Sequence, residues 1–394
     1  MQLENKSEFD MHFFATLLAA TSLILLAGCS TLSSINPFAK TETKNIPAAL
    51  QEIKSTMSIK SVWSVSVGTS GAYVLSPVQV DSTIYAAGAD GTLAKINAAN
   101  GQFLWRINAG KSLTAGVGAD STTVVVAAAK GVLMAFDADG KSRWSVQASS
   151  EILATPAVGH GLVIVRSIDN RIAAYDTLTG ERKWAVDRPL PALTLRIVSG
   201  IALTDQLAIV ALPGGKLVAL ALSNGGLRWE ASAADPKGAT ELERIAEVPG
   251  TPAIAGQVVC TAAYQGRVAC FDLVSGAVRW AKNLSSEVGV GLDERFVFAA
   301  DNAGAISAYA RDTGSSVWKN EKLANRRLSA PASFGRAVAV GDSFGYLHFL
   351  SREDGSFIGR VSTDGNQIFA APFVAGSNLI VQTKLGTVVA FATE

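Results

Sequence analysis

Cysteine, histidine and net charge are all scarce in this chain of 394 residues, and each scarcity closes a class of function. Only three cysteines and three histidines are present. Beyond the first thirty residues there remain Cys260 and Cys270, with His160 and His348 far apart in sequence. That inventory does not support a metal-ligand set. The 34 basic residues nearly cancel the 33 acidic ones, which removes the electrostatic case for nucleic acid as a partner. There is no phosphate loop, no nucleophile–histidine arrangement and no cluster of carboxylates. We therefore expect a non-enzyme with no catalytic residue, no cofactor and no metal.

Long apolar runs are also missing. The longest, from Phe13 to Ala27, is a mostly apolar run of fifteen, too short to cross a bilayer comfortably but suited to the core of a signal peptide. It ends in Leu26-Ala27-Gly28-Cys29, which resembles the lipobox of bacterial lipoproteins. That resemblance implies removal of residues 1–28 and lipidation of Cys29. Ser30 follows, where an Asp would favour retention at the inner membrane, so the resemblance implies the outer membrane. Ahead of the run stand Lys6 against Glu4, Glu8 and Asp10, an unusual leader; a start at Met11 would remove the acids and leave no Lys or Arg. Residues 29–60 are polar and read as a flexible tether, with a short helix expected near Ala48–Lys54.

What the chain does have is a period. Trp63, Trp105, Trp144, Trp184, Trp229, Trp280 and Trp318 are spaced by 42, 39, 40, 45, 51 and 38 residues, and each of the last six stands four residues after a glycine. Between these marks lie short aliphatic and aromatic runs separated by Asn-Gly and Asp-Gly turns, with no sustained helical periodicity. One unit reads as strands at Val78–Val80, Ser82–Ala87, Thr92–Ile96 and Phe103–Ile107. The seventh unit has Gly359 where the tryptophan belongs, and the eighth ends before any fourth strand. Ser61–Val65, in turn, looks like a fourth strand with no unit before it. Pairing the two ends predicts an all-β fold over 61–394, an eight-bladed β-propeller of four-stranded antiparallel blades. A pair of β-sandwiches would leave both orphan segments unexplained. The tryptophans are expected to fill the wedges between blades, and the repeated Asp or Asn to serve the turns. Cys260 and Cys270 flank one hairpin turn and suit either a disulfide or two buried thiols.

The stretch Ala174-Tyr175-Asp176-x-x-x-Gly180-x-x-x-Trp184 resembles the repeat of pyrroloquinoline-quinone propellers, shared by quinoprotein dehydrogenases and by outer-membrane assembly factors of the BamB family. The lipobox, short tether and single propeller are similar to the latter. This resemblance implies a scaffold subunit of the outer-membrane β-barrel protein assembly (BAM) machinery. It would be lipid-anchored in the outer membrane, face the periplasm, bind the periplasmic domains of BamA and hold nascent outer-membrane proteins by β-augmentation. The alternatives are a quinone-dependent dehydrogenase and a periplasmic glycan- or peptide-binding propeller.

Repeat spacing locates a docking surface independently. The two long intervals place extra residues between consecutive blades on one face, where loops carry recognition. The first extension contains Leu193, Leu195 and Arg196; the second contains Arg244 and Glu247. The leucines would serve equally as the start of a strand turned into a blade, and the second extension equally as a solvated loop. Resemblance to BamB implies partner contacts for Leu193, Leu195, Arg196 and Glu247. At the position two residues after Glu247, where a second acid is implied, this chain has Pro249.

Overall fold

A computed structural model describes residues 45–393. Their regular structure is thirty-two strands in eight antiparallel sheets of four, with one 3-10 turn at Ala129–Gly131. Blades 1 to 7 span 78–108, 118–147, 157–187, 201–232, 253–283, 290–320 and 332–362. Blade 8 combines the last three strands, within 373–393, with the N-terminal strand Ile59–Ser66. That strand pairs antiparallel with Thr387–Thr393, setting Ser61 opposite Phe391 and Trp63 opposite Ala390 around a bulge. The predicted ring closure is present, and it removes two free edges.

Burial follows the layering. Second and third strands are enclosed by neighbouring blades on both sides, so Thr123–Ala128 is buried throughout and reads as continuous apolar sequence. Fourth strands lie at the rim and alternate, as Ser142–Gln147 does. The core is divided into eight clusters, one in each wedge between blades. Blades 4 and 5, for example, enclose Trp229, Val248 and Phe271, and blades 8 and 1 enclose Trp63, Ile84 and Ile380.

The repeated glycine and tryptophan meet across these wedges. Gly101 sits on the Trp63 indole, Gly140 on Trp105, Gly180 on Trp144, Gly225 on Trp184, Gly276 on Trp229, Gly314 on Trp280 and Gly355 on Trp318. Each glycine therefore belongs to the blade after its tryptophan. Every indole Nε1–H donates to a backbone carbonyl in that same turn, from Ala98 for Trp63 to Arg352 for Trp318, at 2.6–3.0 Å. The glycines also have positive φ, between 69° and 81° at these seven positions. A side chain there is excluded twice, by the backbone and by the ring. The Asp residues of these turns accept backbone N–H bonds, as Asp176 does from Leu178 and Thr179.

Blade 7 departs from the rule, and the N-terminal segment explains why. A methyl on Gly359 would lie 2.4 Å from Cδ1 of Ile59. Met57 is buried in the blade 7–8 wedge, and the N–H groups of Thr56 and Met57 both donate to Ile358 O at 3.0 Å. Residues 56–59 thus occupy the place of the missing indole. The helix expected near Ala48–Lys54 does not form; 47–56 is irregular and packs on the ring, with Leu50 against the blade 6–7 core. Residues from Pro47 onward form one compact unit, so the packed part of the chain begins well before residue 61. Its backbone groups find partners on the ring, which removes the advantage of closing helical bonds. Cys260 and Cys270, opposite one another on neighbouring strands, form a disulfide with a Cα–Cα distance of 4.1 Å. Cys29 and the signal-like run lie outside the described residues.

Gly314→Ala should cost about 2–4 kcal/mol, combining a left-handed backbone with a methyl 2.5 Å from Cδ2 of Trp280. Gly335→Ala, also at positive φ but in open space, should cost about 1–2 kcal/mol. Denaturant unfolding of the two variants compares them directly, and equal losses would remove the indole from the account.

Candidate docking surface

Because strands alternate in direction, fourth-to-first connections and second-to-third turns share one face, while the glycine turns share the other. The two longest connections, 188–200 and 233–252, join blades 3 to 4 and 4 to 5. They are adjacent and bonded to each other. The Gly200 N–H donates to Gly250 O at 2.8 Å, and the Gly250 N–H donates to Val198 O at 2.7 Å.

The first connection is held at several points. Arg188 turns back to Glu230, which also takes Lys216 at 2.6 Å. Asn170 Nδ2 donates to Pro189 O at 2.8 Å. Between these anchors and Ser199 the chain forms no strand; Leu190 and Leu193 stand exposed, while Leu195 is half-buried. Arg196 projects with its side chain 65% exposed and pairs with Glu151 of the preceding connection at 2.8 Å. An exposed pair of this kind contributes little to stability, so Arg196 is available to another carboxylate.

The second connection has two parts. Residues 235–244 are exposed, with Leu242 at 67% and Arg244 paired locally to Glu241. Glu243 caps the turn by accepting from the N–H groups of Ala239 and Thr240. From Ala246 to Pro249 the chain is buried between blades 4 and 5, so this stretch is no solvated loop.

Glu247 is only 2% exposed. Its backbone carbonyl accepts from Tyr264 N at 2.8 Å, and its Oε1 accepts from Leu195 N at 3.1 Å. The carboxylate therefore lies beneath the first connection and supports it from below. Burial pushes its pKa up to about 7, against the opposing pull of the Leu195 N–H and the charge of Arg166. Of the residues singled out in the sequence, Leu193, Arg196 and Arg244 reach solvent, Leu195 does so in part, and Glu247 does not. Glu151 and Asn170 were not marked by any spacing or motif, and the exposed Leu242 lies in the second extension without having been singled out.

Among the described residues, no group of three or more His, Cys, Asp or Glu is placed to hold a metal ion. No described helix is long and apolar enough to cross a membrane.

Comparison with known proteins agrees with this architecture. The family model described as outer membrane protein assembly factor BamB matches residues 89–320 and 302–394. The BamB of Bordetella pertussis is 42% identical over 370 residues, covering 94% of each chain. This chain belongs to the BamB family. The BamB of Burkholderia pseudomallei is 40% identical, over 96% of this chain and 98% of its own. The crystal structure of BamB from Moraxella catarrhalis matches with a TM-score of 0.77 at 26% identity, covering 85% of this chain and all of that one. The quinohemoprotein alcohol dehydrogenase of Comamonas testosteroni matches at 0.66 and 16% identity, which is likeness of fold alone. The BamB relatives are named for an assembly factor and not for an enzyme.

Folding favours protonation of Glu247, whose ordinary pKa is 4.5. Its contribution to stability is therefore full below about pH 4.5 and is lost as pH rises through about 7. Glu247→Gln keeps an acceptor for the Leu195 N–H and cannot ionise. It should gain on the order of 2–3 kcal/mol over wild type at pH 8 and little at pH 5. Thermal unfolding at both pH values measures this, and a pH-independent difference would mean that Glu247 titrates as a solvated carboxyl.

Proposed function

We propose that this chain is a lipoprotein scaffold subunit of the BAM complex and assists insertion of β-barrel proteins into the outer membrane. It is anchored in the inner leaflet through Cys29, faces the periplasm and docks on the periplasmic domains of BamA. Membership of the BamB family supports the assignment to the complex. One structural observation supports the docking surface: the two longest connections of the ring are bonded into a single exposed rim.

The physical chemistry of that rim suits a protein partner. Leu190, Leu193 and Leu242 provide apolar area, and Arg196 provides a largely exposed charge. Glu247 acts from beneath, holding the backbone at Leu195 so that its neighbours keep their direction. Arg244 stands exposed two residues after Leu242, paired with Glu241. A prearranged loop loses less conformational freedom on binding than a mobile one. No bond is made or broken; the ring positions its partner.

Leu193→Asp combined with Arg196→Glu places unfavourable groups at two solvent-facing positions without touching the core. Co-purification of BamA from outer membranes should fall at least tenfold while the unfolding midpoint stays within about 2 °C of wild type. Undiminished co-purification by a normally folded variant would move the docking surface elsewhere on the ring.

A further inference from the structure

The segment that leads into the first strand is held by arginines. Arg326 Nη1 donates to Ala48 O at 2.9 Å, Arg360 Nη1 donates to Gln51 O at 3.0 Å, and Arg336 Nη2 donates to Thr56 O. The Ala48 N–H donates in turn to Ala324 O at 2.8 Å. Three side chains from blade 7 and the connection before it thus grip three carbonyls of a segment with no ladder of its own.

Two of these arginines are aimed from below. Asp342 and His348 are fully buried. Asp342 Oδ2 accepts from Arg326 Nε at 2.7 Å and lies 3.0 Å from His348 Nε2. Arg360 Nε lies 3.1 Å from His348 Nδ1. A guanidinium nitrogen can only donate, so Nδ1 accepts and the imidazole proton sits on Nε2, directed at Asp342. The relay is consistent only with neutral imidazole, and burial lowers the His348 pKa in agreement. The ring of Phe344 stacks on Arg326, and Phe357 lies against Arg360.

We infer that Arg326 and Arg360, aimed by the Asp342–His348 pair, together with Arg336, are positioning residues that fix where the N-terminal chain joins the ring. Ala48 is held beside the connection between blades 6 and 7. That connection is of the fourth-to-first kind, so the chain joins on the face that carries the two docking connections, three blades round from the first and two from the second. Given the tethered-scaffold reading, on which the purpose of the clamp rests, the chain enters the ring at Ala48 on the face that carries the docking surface. The clamp prevents 47–57 from lengthening the tether. It also keeps Met57 and Ile59 in the wedge that lacks an indole.

Hydrogen exchange of the full chain tests the assignment. Arg336→Met with Arg360→Met retains the side-chain stems and removes both rim donors. Amides of 47–57 should exchange at least tenfold faster, while those of the blade 7 strand Tyr346–Ser351 keep wild-type protection. Arg336→Lys with Arg360→Lys, which retains a donor at each place, should preserve most of the protection. Unchanged exchange in the methionine pair, parallel loss across blade 7, or lysine variants as unprotected as the methionine ones would each overturn the clamp. BamA co-purification by the wild-type chain reads the scaffold role separately, so failure there leaves the clamp standing.

Discussion

An indole resting on a bare glycine Cα, with its N–H tied to a carbonyl of the same turn, is the contact on which this ring depends. A propeller has no central core; its apolar interior is divided among wedges, and each wedge must be closed separately. The tryptophan closes it from one blade and the glycine turn from the next. Removing a buried indole of this kind costs about 3–5 kcal/mol through lost transfer energy and an unfilled cavity. Leaving its N–H or the carbonyl without a partner adds about 1–3 kcal/mol. Seven such joints set blade against blade at a fixed pitch, and that pitch makes the rim a rigid frame.

The eighth joint shows that the constraint is on the wedge and not on the residue. At blade 7 a glycine replaces the tryptophan, and Met57 and Ile59 arrive from the other end of the chain to fill the space. Closure and filling are therefore one event. The N-terminal strand completes blade 8 by backbone pairing, and the residues just ahead of it complete the neighbouring wedge by side-chain packing. The arginine clamp lies immediately upstream, so the structure has little freedom between the last ring contact and the point where the chain departs.

On that frame, two enlarged connections are the features that differ from blade to blade. Their exposed parts carry leucines and an arginine, while their inner parts are welded to each other and to blades 4 and 5. Glu247 illustrates how the weld operates. A carboxylate placed under a loop spends solvation to hold one backbone N–H, and its raised pKa records that cost. Such a group shapes a surface without belonging to it. Its location separates the residues that can meet a partner, Leu193 and Arg196, from the one that keeps them in place.

The count of blades, the closing strand and the face bearing the long connections were legible in the sequence. The signals are local: a glycine, three residues and a tryptophan recur along the repeats, and extra residues lengthen two of the intervals. The helix expected near Ala48–Lys54 failed because local propensity there is outweighed by partners supplied by the ring. Glu247 reads as one more acid in a charged stretch, and His348 as a lone histidine in a strand; nothing beside either one marks its burial. Their roles join positions far apart: Leu195 with Glu247 across 52 residues, Arg326 with Ala48 across 278, and Arg360 with Gln51 across 309. A repeat can be read from the chain because every copy carries its own half of each joint. Which carboxylate is buried, and which carbonyl an arginine finds, was decided only when the ring closed and brought the two ends of the chain together.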